Sequence, residues 1–162
     1  MDIKVHENFM NYFLFLKLKE TMNNQHFPWF KSRIVPETED IQLIHIFFEF
    51  DRINSEYFEL LEPCIKSLGA KRLIRVKANL VLKTPEIQEH GFHIDNDSHK
   101  EFRTAVFYIN SNNGYTRFEK KNKKIKSEEN KLVEFDGYLR HTGTSCTDAP
   151  YRIVINFVYL NK

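Results

Sequence analysis

FRTAVFYINSNNGYTRFE, residues Phe102 to Glu119, carries two runs rich in β-branched and aromatic residues, split by Asn112-Asn113-Gly114. Such runs fit a pleated, half-buried surface, and Asn-Gly pairs accept the backbone angles of tight turns, so the stretch reads as strand, turn, strand. The same grammar repeats around it. Leu73 to Leu82 (LIRVKANLVL) alternates in part, and Gly91 to Asp95, Lys131 to Phe135 and Tyr151 to Leu160 are further short β-rich runs. Turn signals stand between them at Asp136-Gly137 and Asp148-Ala149-Pro150. Short strands with regular turns predict a sandwich or jelly roll from residue 72 onward.

Upstream the pattern changes. Glu7 to Met22 places apolar residues at Phe9, Met10, Phe13, Leu14, Leu16 and Leu18 among Lys17, Lys19 and Glu20, which predicts a helix. Asn23 to Ser32 reads as a loop packed down by Pro28 and Trp29, and Ile41 to Phe50 (IQLIHIFFEF) as a strand. A second helix is expected after Asn54 or Ser55 as N-cap, with Tyr57, Phe58, Leu60, Leu61, Ile65 and Leu68 near one stripe and Gly69 as its stop. Pro63 inside that stripe predicts a kink, or a break into two short helices. The expected fold is α+β: a double-stranded β-helix, or jelly roll, with N-terminal helices on one face. Residues 1–162 form a single domain in this reading, 1–70 supplying the helices and one strand that support the core, and 71–162 the jelly roll.

Composition bounds the function. At 162 residues with 41% hydrophobic content, fifteen Phe, five Gly and five Pro, the chain has material for one core and little for disorder. A net charge of +2 gives no strong pull toward nucleic acid or an anionic membrane. No run approaches the roughly 20 apolar residues that span a bilayer, and Met1-Asp2-Ile3-Lys4 opens no signal peptide. Cys64 and Cys146 stand far apart and read as reduced thiols in a cytoplasmic protein. The basic segment Lys120 to Lys131 reads as a solvated hairpin tip, with docking of an acidic partner or nucleic acid as the lesser reading. Little aromatic interleaving there counts against a stacking platform.

His93-Ile94-Asp95 carries the chemistry. On a strand, residues two apart share a face, so one imidazole and one carboxylate converge on a point. A second imidazole from another strand would complete the two-histidine, one-carboxylate facial triad of non-haem Fe(II) oxygenases. His141, after the Asp136-Gly137 turn, is the candidate, and His90 and His99 compete with it. His6, His26 and His45 read as structural or solvated. Arg152 lies eleven positions after His141, where a hairpin returns it alongside the metal, and its planar fork suits a distal carboxylate. Which face of Arg152, Val154, Asn156 against Ile153, Ile155, Phe157 is buried stays open at this level.

In order, His93-Ile94-Asp95, Thr104 to Asn110 (TAVFYIN), Gly114-Tyr115-Thr116-Arg117-Phe118, His141 and Arg152 resemble the prolyl-4-hydroxylase-like branch of the 2-oxoglutarate/Fe(II)-dependent dioxygenases. The resemblance covers roughly Ile74 to Tyr159. More loosely, IQLIHIFFEF, Ser55 to Leu61 and Arg75 to Leu80 resemble small phage-encoded oxygenases of unassigned substrate, which would place the protein in a host cytoplasm. The resemblance implies Fe(II) on His93, Asp95 and His141, with 2-oxoglutarate and O2 as cosubstrates and ascorbate as an optional reductant. It implies Arg152 and Tyr108 on the distal carboxylate of 2-oxoglutarate, with Asn79, Asn110, Thr116 and Asn156 as pocket residues. The implied activity is hydroxylation of a prolyl or other amino-acid or peptide side chain. Two departures stand out. Asn113 occupies the place of the family's first glycine in Gly-Gly-x-Thr-x-Phe, and Val81 and Leu82 stand near the place of a tyrosine often found before the His-x-Asp segment. The competing readings are another metal enzyme in a cupin-like barrel, such as a zinc hydrolase or isomerase, and a non-catalytic β-barrel binding module.

Overall fold

The computed structural model describes residues 3–34, 40–95, 101–120 and 122–161. In chain order the elements are β1 (Ile3–His6), α1 (Tyr12–Asn23), β2 (Phe30–Arg33), β3 (Ile41–Glu49), β4 (Arg52–Ile53), a 3₁₀ turn (Phe58–Leu61), α2 (Glu62–Leu68), β5 (Arg72–Leu82), β6 (Phe102–Tyr108), β7 (Tyr115–Phe118), β8 (Lys123–Lys126), β9 (Lys131–Asp136), β10 (His141–Gly143) and β11 (Tyr151–Leu160). Among the described residues the strands form two sheets. The larger runs β1-β9-β6-β11-β5-β3-β2 with β4 beside β3, and the smaller runs β10-β7-β8. Every pairing is antiparallel. This is the expected jelly-roll core.

Alternation along the central strands separates two layers. On β6 and β11, Ala105, Phe107, Ile153, Ile155, Phe157 and Tyr159 meet Phe15, Leu18 and Met22 of α1 and Leu61, Cys64 and Leu68 of the second helical segment. The intervening Val106, Tyr108 and Val154 face the other way, toward Phe118, Ile125 and Leu139 of the smaller-sheet side. Both faces of β11 are therefore buried, which is why its sequence is apolar almost throughout. Each fully buried side chain such as Phe15 contributes about 1.5–3 kcal/mol relative to exposure. Among the described residues no helix is long and apolar enough to cross a membrane.

The N-terminal third departs from expectation in three places. It supplies four strands, β1 to β4, rather than one. The first helix starts at Tyr12, not Glu7, because Ile3–His6 pairs with β9. Asn130 then grips Met10 at both ends, its Nδ2 donating to the Met10 carbonyl at 2.8 Å and its Oδ1 accepting from the Met10 amide at 2.9 Å. Asn11 caps the helix through the Phe13 and Leu14 amides. The expected loop at Asn23–Ser32 gives way to β2 at Phe30, whose mixed FKSR sequence is held by pairing to β3. Pro63 does break the second helix: a 3₁₀ turn runs to Leu61 and α2 begins with the proline in its first turn, where its missing N–H costs nothing. Gly69, at φ 64°, ends it. Downstream, Lys123–Lys126 is β8 rather than a bare tip: Ile125 is buried while its lysine neighbours face out, and Lys124 Nζ lies 4.4 Å over the Tyr115 ring.

Candidate metal centre

A cavity of about 450 Å³ opens between the two sheets, within the roughly 300–1,000 Å³ range of small-molecule sites. Its floor is β5 and β11, with Lys77, Asn79 and Val81 beside Arg152, Val154 and Asn156. Thr116, His141 and Gly143 close it from the smaller sheet, and His90 to Asp95 cross its mouth.

His93 and His141 meet through one isolated antiparallel bridge, His93 amide to His141 carbonyl at 2.9 Å and the reverse at 3.0 Å. Gly91–Asp95 is thus not a full strand, as expected, but a single bridge at the sheet edge. That bridge suffices to set the rings 4.7 Å apart. One nitrogen from each histidine and one oxygen of Asp95 all lie within 4.8 Å of one another. Phe135 packs edge-on against the His141 ring at 4.7 Å, holding it in place.

Proton positions follow from the backbone. His141 Nδ1 lies 3.0 Å from the Leu139 carbonyl, so Nδ1 carries the hydrogen and Nε2 keeps a lone pair. That lone pair faces Asp95 Oδ2 at 3.5 Å, and the buried Oδ2 has no hydrogen bond. Burial pushes the His141 pKa down, and although Asp95 pulls it up, the net direction is down. A neutral imidazole and a carboxylate oxygen thus present lone pairs to each other. Two buried acceptors in that relation repel unless a cation stands between them. His93 is oriented the same way, Nδ1 toward the Gly91 carbonyl at 3.3 Å. The donor set, two imidazoles and one carboxylate on one side, fits a first-row divalent metal with open positions. Burial pushes the Asp95 carboxyl up, but His141, Arg75 and His93 outweigh it and hold the group below its ordinary value. Arg75 Nη2 stands 3.4 Å from Asp95 Oδ1.

Arg152 lies at the other end of the floor, 4% exposed. Its Nε donates to Ser127 Oγ at 2.8 Å and its Nη2 to Thr116 Oγ1 at 3.3 Å, and no carboxylate pairs with it among the described residues. Desolvation pushes its pKa down. A buried guanidinium partnered only by hydroxyls is an anion site in waiting. Gly114 makes room for it: a Cβ there would stand 2.7 Å from both Arg152 Cδ and the Ser145 carbonyl.

The other expected residues divide. Asn79, Thr116 and Asn156 line the cavity. Tyr108 does not: it is fully buried behind Arg152, whose guanidinium lies 5.6 Å over its ring, and its hydroxyl donates to Thr116 Oγ1 at 2.9 Å. Burial pushes that phenol up to about 12. Asn110 is also placed elsewhere. Its Oδ1 accepts from the Ile153 amide and its Nδ2 donates to the Tyr151 carbonyl, both at 2.8 Å, which is the bonding of a strand clamp, and leaves it no reach into the cavity. His90 lines the cavity outside the ligand triangle, its pKa pushed down to about 4 by burial and by Arg152, and His99 falls outside the described residues. Asn113, in the place of a glycine, ties its turn to the next loop through the Thr147 amide, the Thr147 hydroxyl and Asp148. The sequence reading missed Arg75 and Lys77. Their signal was there, since Arg75, Lys77 and Asn79 recur at every second position and so share the site face.

No family profile matches the chain, and no curated protein matches it. Solved structures do. A prolyl hydroxylase from Trichoplax adhaerens, in complex with a hypoxia inducible factor peptide fragment, aligns at TM-score 0.72 and 16% identity over 98% of this chain and 83% of its own. A viral collagen prolyl hydroxylase from Paramecium Bursaria Chlorella virus-1 aligns at TM-score 0.63 and 13% identity over 99% and 96%. The non-heme alpha ketoglutarate dependent epimerase SnoN, from nogalamycin biosynthesis, aligns at TM-score 0.71 and 12% identity over 98% and 76%. At these identities the likeness establishes the fold, which is that of the 2-oxoglutarate/Fe(II) oxygenases.

Proposed function

We propose that this chain is an Fe(II)- and 2-oxoglutarate-dependent dioxygenase of the prolyl-4-hydroxylase-like kind, hydroxylating an amino-acid or peptide substrate. One observation carries the reading: a buried pair of facing acceptors, His141 Nε2 and Asp95 Oδ2, stands in the same cavity as a buried guanidinium that no carboxylate neutralises. The first wants a cation and the second an anion. A metal chelated by a dianionic keto acid answers both.

In this reading His93, Asp95 and His141 hold the metal, with Leu139 and Gly91 carbonyls fixing the imidazole tautomers. Arg152 binds the distal carboxylate of 2-oxoglutarate, and Thr116, which already accepts from Arg152 and Tyr108, holds that guanidinium in place. Tyr108 acts through Thr116 and through its ring beneath Arg152. Iron with 2-oxoglutarate and O2 supplies the oxidation, in which the keto acid loses CO2 to become succinate and one oxygen atom enters a substrate C–H bond. Val81, Val106 and Val154 supply the apolar part of the cavity wall.

A hydrolytic zinc site is less well supported, because Asp95 is the sole carboxylate lining the cavity among the described residues and is itself a ligand. The test is anaerobic titration of Fe(II) with and without 2-oxoglutarate, following the weak visible charge-transfer band. The wild type is expected to develop the band. Asp95→Ala is expected to bind iron more than about 100-fold more weakly, since even outer partners of metal ligands are worth 10–100-fold. A wild type that neither takes up iron nor shows the band refutes the assignment.

A further inference from the structure

Arg152 is the only cation that the proposed cosubstrate needs, yet the cavity holds more. Arg152 faces Val81 in the sheet register, whereas Lys77 and Arg75 lie four and six residues further along β5. At about 3.3 Å per residue those positions are roughly 13 and 20 Å away. A five-carbon diacid with its distal carboxylate on Arg152 spends that carboxylate there, and only its metal-bound end comes toward Arg75, which reaches Asp95 at 3.4 Å. Charge points the same way. Iron(II) and the dianion of 2-oxoglutarate cancel. Asp95, which pairs with Arg75, and Glu49, which stands opposite Arg75 on β3, offset two of the three cations Arg75, Lys77 and Arg152, so the loaded cavity keeps a net positive charge. Arg33, which has an interaction of its own, is left out of that count. Lys77 makes no hydrogen bond or ion pair among the described residues, and Arg75 Nε is buried without an acceptor. Glu49 and Asp51 line a smaller adjoining cavity that Arg75 and Asp95 share; Arg72 holds Asp51 there at 3.1 Å, and Glu49 stands opposite Arg75 without an ion pair to it among the described residues.

Beside the Asp95 oxygen assigned to the metal, a second orphan acceptor stands among these cations. Asn156 pairs with Lys77 across the β5–β11 ladder, lines the same cavity, and keeps its buried Oδ1 free of any hydrogen bond. Two cations and an amide oxygen side by side match the two ends of an amino acid: a carboxylate for the guanidinium and ammonium, an amine for the oxygen.

Resting on the oxygenase reading, we propose that Arg75, Lys77 and Asn156 form a substrate subsite beside the metal position, and that the substrate is a free α-amino acid. Its carboxylate sits on Arg75 and Lys77 and its amine on Asn156. This subsite rules out a mid-chain peptide residue as the group held there, because such a residue has neither charge.

The experiment is calorimetry on the full chain loaded with Mn(II) and 2-oxoglutarate, titrated with the proteinogenic L-amino acids, their methyl esters and inorganic phosphate. At least one free amino acid is expected to bind, its ester at least about tenfold more weakly, as removal of a charge-assisted hydrogen bond predicts. Lys77→Met is expected to lose the same factor for the amino acid while its 2-oxoglutarate affinity stays within about twofold of wild type. The proposal is overturned if no amino acid binds, if esters or phosphate bind as well as the acids, or if Lys77→Met leaves amino-acid binding intact. It is also overturned if that variant loses 2-oxoglutarate instead, which would place Lys77 on the cosubstrate. The metal and 2-oxoglutarate titrations of the wild type come first; their failure removes the oxygenase reading itself, and the subsite with it.

Discussion

Replacing Arg152 by Met separates a residue kept for folding from one kept for an anion. In the free protein the guanidinium is buried, with two hydroxyl partners and no counter-charge. Losing two hydrogen bonds costs about 0.5–1.5 kcal/mol each. Removing an uncompensated buried cation returns a few kcal/mol, and methionine refills most of the volume. The stability of ligand-free Arg152→Met should therefore lie within about 2 kcal/mol of wild type. Ligand response should differ sharply. With Mn(II) present and 2-oxoglutarate at a hundredfold excess over its Kd, the wild type gains about 2.7 kcal/mol, or roughly 5–11 °C in Tm for a chain of this size. Two charge-assisted bonds to one carboxylate contribute about 3–6 kcal/mol, so the variant's Kd should rise at least about 100-fold. At the same ligand concentration its gain then falls to about 0.4 kcal/mol, roughly 1–2 °C. Thermal melts of both proteins, with and without ligand, read this directly. A variant that melts far below wild type without ligand, yet shifts as much with it, would refute the assignment and make Arg152 a structural residue.

Gly114→Ala should act on the same pocket by a steric route. Its methyl would press on Arg152 Cδ and the Ser145 carbonyl, so a loss of about 1–3 kcal/mol in urea unfolding and a weaker 2-oxoglutarate Kd by calorimetry are expected together. Phe15→Ala empties the opposite face of the sheet and should cost about 3–5 kcal/mol while leaving the 2-oxoglutarate Kd of the folded protein unchanged. His45 should give the fold an acid-sensitive step. It is buried, with Nδ1 on the Pro28 carbonyl and Nε2 on Ser55, and burial pushes its pKa down despite the Pro28 bond. The unfolded chain then takes up this proton first, so its contribution is complete above the unfolded value of about 6.5 and shrinks as pH falls below it. Urea midpoints of wild type should drop across that window, and those of His45→Gln should drop less.

Much of this was legible in the residues. Local alternation and turn pairs placed β3, β5, β6, β7, β9 and β11, because a strand's pattern is set by its own two faces. Pro63 and Gly69 marked the break and the end of the second helical segment through backbone constraints that act at single positions. His93, Asp95, His141 and Arg152 were named from spacing and resemblance, and the structure brings all four to one cavity. The weaker strands were not legible. β1, β2 and β8 are short and polar on one side, and only their partners, β9, β3 and β7, hold them extended. Asn110 and Tyr108 were misplaced for a related reason: an amide or phenol on a strand end serves the backbone or the cavity equally well until the neighbouring loop is known.

By itself the sequence determined the class of fold and put forward His93, Asp95, His141 and Arg152 as candidates for metal and anion, since periodicity, residue chemistry and motif order are all read along the chain. Only the tertiary structure decided which face of β11 looks into the cavity, for both of its faces are buried and its pattern cannot distinguish them. The same packing turned Arg75, Lys77 and Asn156 from scattered polar residues on two distant strands into neighbours, because register between strands is set by contacts far apart in the chain.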